Sequence, residues 1–464
     1  MSNSNNHPFQ PTPTTTTTCC PIIMVMVPFT AQSHLNQALQ LSFLISSYQI
    51  EVHYAASSEH NRQVKLRFNG GDRSDLSKIH FHDLPMPRYL SPLPDPNSTT
   101  KFPAHLQPSF DATLHLRHPV GTLLRQLSAT ARRLIVIHDT LMSFVVQDVS
   151  DIPNAESYAF RCVSVFSSCC IKSLVRGESI PPVEEFFVTN DFLRLVAAQS
   201  EFVKIKKGDI YNSCKQMESA YLDLVAKNEP NVNNKQWAIA PLINRVRIIN
   251  PTFGNECLLW LEKQPPKSVI YVSFGSTISM TDEQIEALAF GLKESKQRFI
   301  WVLRDADKAD IFTGEDRNLK LPKGFEESVK ETGMVVRDWV PQMEILAHGS
   351  VGGFMSHCGW NSCLESLGLG VPIAAWPMHS DQPYNAVLIT EILKVGVEVR
   401  EWADKSEVVS SCTIKRAVEI LMDSEEGEKI RKRAEELGGV LRDAAEEGGV
   451  SKMEMDSFIA HITR

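Results

Sequence analysis

The 464-residue chain carries no long run of basic residues, and its formal charge of −8 is spread along its length. A polyanion finds no patch that would neutralise it, so nucleic acid is set aside as a partner. None of the ten cysteines forms a Cys-x-x-Cys pair; the nearest are vicinal (Cys19/Cys20, Cys169/Cys170) or five apart (Cys358/Cys363). Metal-ligand spacing is therefore missing, and scattered buried thiols in a reducing compartment are the better expectation. No stretch approaches the ~18 to 20 apolar residues that cross a bilayer. The first twenty residues hold no Lys or Arg, so they lack the basic start of a secretory signal and the Arg-rich face of a transit peptide. Cytoplasmic residence without stable membrane insertion is the expectation. No Gly-x-Gly-x-x-Gly occurs, which counts against a nicotinamide or flavin enzyme, and no motif places the two flanking carboxylates of a glycoside hydrolase.

What the chain does contain suits two domains with a cleft between them. The length is right for two units of roughly 200 residues, and 43% hydrophobic with 22% charged residues is an ordinary globular composition. Residues 1–20, rich in Asn, Pro and Thr, read as a tail that cannot bury itself. Ile22–Val27 is a short apolar run suited to a strand buried on both faces; Pro28–Ser33 reads as a turn and Leu35–Ser46 as a helix. Ile50–Ala55 and Leu134–Ile137 are further strand candidates, with helices around 120–133 and 192–204. The same grammar restarts after 249–266. Ser268–Phe274 reads as a strand, Gly275–Thr277 as a turn and Asp282–Glu294 as an amphipathic helix. Phe299–Leu303, Met334–Arg337, Gly352–Met355 and Pro372–Ala375 supply more strands, Met343–Ala347 and Asn361–Leu367 more helices, and Glu425–Arg464 reads as helix. This alternation predicts an α/β fold, a parallel doubly wound sheet in each half, with ligand outside the carboxyl ends of the strands.

The most informative stretch runs from Trp339 to Gln382. It contains Trp-Val-Pro-Gln, His357-Cys-Gly-Trp-Asn-Ser362, a Glu-Ser pair at Glu365, and Trp-Pro-Met-His-Ser-Asp-Gln ending at Gln382. Over its full length this stretch resembles the plant secondary product glycosyltransferase signature, that of family 1 UDP-glycosyltransferases. Ser268-Val-Ile-Tyr-Val-Ser-Phe-Gly-Ser276 and the His34 region extend the resemblance over most of the chain. It implies a GT-B fold, two Rossmann-like domains facing across a cleft: an acceptor-binding domain over 21–248, a linker over 249–266 and a UDP-sugar-binding domain over 267–440. Residues 441–464 would form a helix packing back on the first domain.

A strand giving way to a helix at 357–362 presents backbone N–H groups and the positive helix end to a pyrophosphate. By resemblance, His357 and Ser362 donate to phosphate oxygens, with Trp360 and Asn361 beside them, and Glu365 accepts two ribose hydroxyls. Trp339 offers a flat face to uracil, Val340 and Gln342 adjoin the base edge, and Asp381 and Gln382 bind sugar hydroxyls. Ser276, in the Gly275–Thr277 turn, is a second phosphate contact. Taken singly, Trp339 reads as a core aromatic and Glu365 or Asp381 as a solvated charge; in combination the balance reverses. Cys358 and Cys363 read as packing. Gln382 leans the donor towards UDP-glucose, although similar relatives use UDP-xylose. The UDP-sugar enters as co-substrate, and no cofactor or metal is called for.

Transfer to an alcohol needs a base, because a hydroxyl is a poor nucleophile near neutral pH. His34 follows the first strand on the cleft side and occupies the position of the family's catalytic base. Asp139, at the carboxyl end of Leu134–Ile137, aligns with the family's partner carboxylate; on its own it could equally be a helix N-cap, with His138 competing for a role. The implied mechanism is direct displacement with inversion. Many relatives have Gly-His-x-x-Pro here, whereas this chain has Ser33-His34-Leu-Asn-Gln37, and Ser33 in place of Gly is expected to restrict the loop. The His-Leu-Asn-Gln form, Ile137-His-Asp-Thr-Leu-Met142 and Ile152-Pro-Asn-Ala-Glu-Ser-Tyr158 are similar to zeatin O-glucosyltransferases. The branch points to a cytokinin among small lipophilic alcohol acceptors; terpenoid, phenolic and alkaloid alcohols stay open. Leu84–Pro108 and 159–177 are the expected acceptor linings, with Phe102, Phe110, Phe160 and Phe166 either in the pocket or in the core. A UDP-sugar-binding protein without turnover is the reading from another class.

Overall fold

Every residue of Ile22–Val27 (β1) is apolar, and the strand alternates between two cores. Met24 and Met26 join one buried cluster, while Ile23, Val25 and Val27 join another on the opposite face. Arg133–Asp139 (β4) does the same, with Ile135 and Ile137 on one side and Leu134 and Val136 on the other. Burial of both faces is what a continuous apolar run requires, at about 1.5–3 kcal/mol for each large side chain. In the computed structural model of the chain, which describes residues 21–68, 73–98, 101–175, 188–228, 234–242, 255–313, 317–400 and 407–464, these two strands are the centre of a parallel sheet. Its other strands are Glu51–Ser57 (β2), Ile79–Leu84 (β3), Ala155–Arg161 (β5), Gly208–Tyr211 (β6) and Lys235–Ala238 (β7), in the order β3-β2-β1-β4-β5-β6-β7.

The second half repeats the plan. Val269–Ser273 (β8), Arg298–Val302 (β9), Gly333–Val336 (β10), Val351–Ser356 (β11), Ile373–Ala375 (β12) and Gly396–Glu398 (β13) form a parallel sheet in the order β10-β9-β8-β11-β12-β13. In each sheet the chain runs outward from the first strand and then returns to its other side. The order reverses between β1 and β4 and again between β8 and β11, and loops diverging at such a switch leave a crevice at the carboxyl ends of the strands. Both sheets are parallel and alternate with helices, as the GT-B expectation requires.

Several local details differ from the sequence expectations. The first helix (α1) spans Gln32–Ser46, so its first turn includes Ser33 and His34, where a loop was expected. Gln32, Ser33 and His34 are polar and gave no periodic signal. Ser33 does not adopt the left-handed conformation for which glycine would be needed, so its substitution for Gly carries no backbone strain. The helices expected at 120–133 and 192–204 are Arg117–Ser128 and Asn190–Gln199, the latter followed by a 3-10 turn at Phe202–Ile205. The C-terminal helix is two helices, Glu425–Ala445 and Val450–Thr463, so the expected boundary at 440/441 falls inside the first of them. The break comes at Gly448, whose φ is +81°, and at Gly449, where a Cβ would lie 2.2 Å from the Asp443 carbonyl oxygen.

Val450–Thr463 buries Met455, Phe458 and Ile462 in the core of the first half; the Phe458 ring lies 5.1 Å from that of Trp237 and 5.4 Å from that of Tyr158. Among the described residues no helix is long and apolar enough to cross a membrane. The expected tail at 1–20, residues 249–254 of the expected linker, residues 99 and 100 and the end of the 159–177 lining lie outside the described residues.

Candidate active site

The two topological switch points face one another across a single cleft of about 440 Å³. From the first half, His34 on α1 and Asp139 at the end of β4 meet there. The Nδ1–H of His34 donates to Asp139 Oδ2 at 2.6 Å, so Nε2 is the nitrogen left for the cleft. Asp139 Oδ1 accepts the Leu141 N–H at 2.9 Å. The same carboxylate therefore caps the Thr140–Met142 turn with one oxygen and meets the imidazole with the other. Burial disfavours the charged imidazolium of His34. The Asp139 carboxylate outweighs this by its charge and hydrogen bond, helped by Asp381, and the pKa is raised above the ordinary 6.5. Burial likewise works against an ionised Asp139, but His34, the Leu141 N–H and the Cys162 thiol hold its pKa below the usual value. His138, the competing residue, is buried with Nδ1 against the Asp139 carbonyl at 2.8 Å, is pushed down to about 4 by burial, and does not line the cleft.

From the second half, His357 follows β11 and precedes the Trp360–Gly368 helix, as the strand-to-helix reading requires. Its imidazole is sandwiched between two glycines: a Cβ on Gly275 would lie 2.6 Å from the ring and one on Gly359 would lie 2.5 Å from its Nε2. Burial pushes the His357 pKa down to about 4, so it enters the site as a neutral hydrogen-bonding group. Gly275 has φ +76°, Cys358 φ +63° and Ser380 φ +57°, so the left-handed conformation recurs at the loops that shape this wall.

Gln342 ties together the residues expected around the nucleoside. Its amide nitrogen donates to Glu365 Oε2 at 2.7 Å and Ser362 Oγ at 3.1 Å, and Asn361 donates to the other Glu365 oxygen at 2.7 Å. Burial raises Glu365 to about 7, against the opposing hydrogen bonds from Gln342 and Asn361. Trp339 is 37% exposed and lines the cleft, and Val340 beside it is buried against the cleft wall. Asp381 Oδ2 accepts from Asn385 at 2.8 Å, and burial raises its pKa. Gln382 Oε1 accepts the N–H groups of Met378 and His379 at 2.9 and 3.0 Å, which orients its amide nitrogen towards His379 Nε2, 3.4 Å away.

All thirteen expected site residues line this cleft, Ser276 among them. Trp360 does so with its polar atom already engaged: its indole N–H donates to the Asn212 carbonyl of the first half at 2.7 Å. Phe102 and Phe110 line the cleft, while Phe160 and Phe166 sit in separate cores. Cys358 and Cys363 are buried packing residues. Gln32, Arg67 and Arg304 lie outside both the quoted motifs and the expected acceptor linings and also line the cleft, and Cys162 joins them from within the expected 159–177 lining. His379, inside the motif that ends at Gln382, also lines the cleft, its Nε2 3.2 Å from Thr277 Oγ1. Ligand atoms of His34, Asp139 and Cys162 lie within 4.8 Å of one another, a nitrogen, oxygen and sulfur set at the foot of the cleft.

Residues 21–244 match the family described as glycosyltransferase, N-terminal domain, and residues 240–432 match UDP-glucoronosyl and UDP-glucosyl transferase. A zeatin O-glucosyltransferase of Phaseolus lunatus is 48% identical over 96% of this chain and 97% of its own length. A zeatin O-xylosyltransferase of Phaseolus vulgaris is also 48% identical, over 96% of this chain and 98% of its own. Among solved structures, a UGT transferase from Siraitia grosvenorii in complex with UDP superposes with a TM-score of 0.73 at 27% identity, covering 96% of this chain and all of the other.

Proposed function

The chain belongs to the family of UDP-glycosyltransferases, and from that premise we propose that it moves glucose from UDP-glucose, with inversion, onto a hydroxyl of a cytokinin such as zeatin. The coarser activity, UDP-sugar-dependent O-glycosyl transfer, is that of the family and of its relatives nearly half identical to this chain.

In the proposed reaction the acceptor hydroxyl lies against His34 Nε2 and attacks the anomeric carbon as that nitrogen takes its proton. The bond from C1 to the β-phosphate oxygen breaks, its electron pair leaves with UDP, and the attacking oxygen forms the new bond on the opposite face. The imidazolium formed at His34 is stabilised by the Asp139 carboxylate 2.6 Å away, which also fixes the tautomer. His357, Ser276, Ser362 and the start of the Trp360–Gly368 helix receive the pyrophosphate charge that develops on the leaving group. Trp339 takes the uracil face, Gln342 the base edge, Glu365 the ribose hydroxyls, and Asp381 with Gln382 the sugar. This division of labour needs no metal. Phe29, Phe102, Phe110 and Phe192 give the acceptor end an apolar lining suited to a flat, lipophilic alcohol.

The observation that carries the reading is the His34–Asp139 pair, held at one switch point and facing the His357 cradle at the other. A second reading, UDP-xylose as donor, is favoured by the xylosyltransferase relative at the same 48% identity. Purified protein would be given UDP-glucose or UDP-xylose with trans-zeatin, cis-zeatin and a panel of flavonoid, terpenoid and alkaloid alcohols, following product mass. Zeatin glucoside as the preferred product supports the proposal. Zeatin xyloside replaces the donor, turnover on other alcohols alone removes the cytokinin, and UDP binding without any product leaves a binding protein.

A further inference from the structure

Arg67 follows α2 (Ser58–Leu66) in the first half, yet its guanidinium is committed mainly to the second half. It donates to both carboxylate oxygens of Asp307, at 2.5 and 2.8 Å, and the two side chains are only 6% and 8% exposed. Its carbon sits 4.4 Å from the centroid of the Trp339 ring, and the Arg304 guanidinium lies 5.4 Å from the same ring while donating to Asp307 Oδ1 at 2.9 Å. On its own side, Arg67 donates to Gln32 Oε1 at 3.0 Å, an oxygen that also accepts from Gln63 at 2.8 Å. Gln32 is in the first turn of α1, two residues before His34. The backbone of Asp307 is fixed from both halves as well: its N–H donates to the Ser276 carbonyl at 2.7 Å and its carbonyl accepts from His105 at 2.9 Å.

A buried Arg–Asp pair contributes little net stability compared with apolar packing, because both charges are desolvated. Its value lies in geometry, since a planar fork fixes distance and angle where apolar contact would slide. Here the fork joins the Trp339 ring to the helix that carries the base. We propose that Arg67 is a positioning residue for the nucleotide donor, latching the first half onto Asp307 and holding the Trp339 ring flat for the base. The proposal rests on the reading of Trp339 as the uracil platform. The donor is then clasped by both halves, although the sequence motif lies wholly in the second.

The test compares wild type with Arg67→Ala, Arg67→Lys, Asp307→Asn and the Arg67→Ala/Asp307→Asn double variant. UDP affinity would be measured by calorimetry and the KM of donor and acceptor separately by kinetics, with melting temperature as a check on folding. Losing a charge-assisted bidentate contact is expected to weaken UDP and raise the donor KM by about tenfold or more, with the acceptor KM within about twofold of wild type. Lysine does not rescue, having neither fork nor flat face, and the double variant is no worse than the more damaging single one. A donor KM unchanged in Arg67→Ala, whatever happens to the melting temperature, reduces Arg67 to a structural bridge and overturns the proposal. So does a lower donor KM, which would make the guanidinium a competitor of the base. Trp339→Ala serves as the control for the platform: unchanged UDP affinity there removes the underlying reading, independently of the Arg67 result.

Discussion

His34 Nδ1 and Asp139 Oδ2 stand 2.6 Å apart although the residues are 105 positions apart in the chain, because β1 and β4 are neighbours at the point where the strand order reverses. Val27 pairs with His138 in the sheet register, so the loop leaving β1 and the residue ending β4 emerge side by side. The carboxylate in this position raises the basicity of the imidazole against the opposing effect of burial.

Removing the carboxylate is therefore expected to damage chemistry more than binding. Asp139→Ala should lower kcat on the order of 10² to 10⁴-fold, with UDP affinity preserved by calorimetry. In Asp139→Asn the His34 pKa should fall, since its main raising influence is gone, and the acidic limb of the kcat/KM profile should move to lower pH. A limb that stays in place would assign the titration to another group.

Glu365 supplies a second pH dependence with a different signature. Burial raises its pKa to about 7 in the donor-free protein, so below that pH it is increasingly a neutral acid and a poorer acceptor for ribose hydroxyls. Donor KM should rise as pH falls through 7, while Glu365→Gln should show a higher donor KM that no longer varies across this range. Measuring donor KM at saturating acceptor from pH 5.5 to 8.5 separates this effect from the protonation of His34.

Gly275 is expected to tolerate no side chain. Its φ of +76° and the 2.6 Å approach of an added Cβ to His357 should make Gly275→Ala destabilising by about 1–3 kcal/mol and reduce turnover by displacing the imidazole. Gly324 is the control, with φ +74° and nothing within 4 Å of an added Cβ: Gly324→Ala should cost only the backbone strain and leave turnover intact. Thermal melts and kcat on the two variants check the contrast.

The nitrogen, oxygen and sulfur atoms of His34, Asp139 and Cys162, within 4.8 Å of one another, offer three ligand atoms to a thiophilic cation. Zn²⁺ should inhibit by occupying the base, chelator should restore activity, and chelator alone should leave the metal-free rate unchanged. Cys162→Ser should weaken the inhibition by about tenfold or more. Equal inhibition in the variant would place the cation elsewhere.

The parts of this protein that were legible in the sequence are those where one local signal suffices. Ile22–Val27 and Leu134–Ile137 announced buried strands by unbroken apolar runs, and Asp282–Glu294 has the same bounds in the structure. The cleft wall of the second half was legible because Trp339 to Gln382 is nearly contiguous. The short strands β6 and β7, four residues each, and β3, whose His80, His82 and Asp83 mask its pattern, left no comparable trace. The Arg67 contact was illegible for a different reason. Its partners Asp307 and Trp339 lie 240 and 272 positions further on, and only the docking of two sheets brings them together. Likewise, the break at Gly448 was hidden within a charged run that reads as one helix until the two glycines are placed in three dimensions.

The most direct test of the account is single-turnover transfer from UDP-glucose to trans-zeatin by wild type and His34→Ala, with the product anomer assigned by NMR and UDP affinity measured in parallel. The account predicts a β-glucoside from the wild type and a rate lower in the variant on the order of 10² to 10⁴-fold at undiminished UDP affinity. An α-glucoside, or a variant that transfers as fast as wild type, would contradict it.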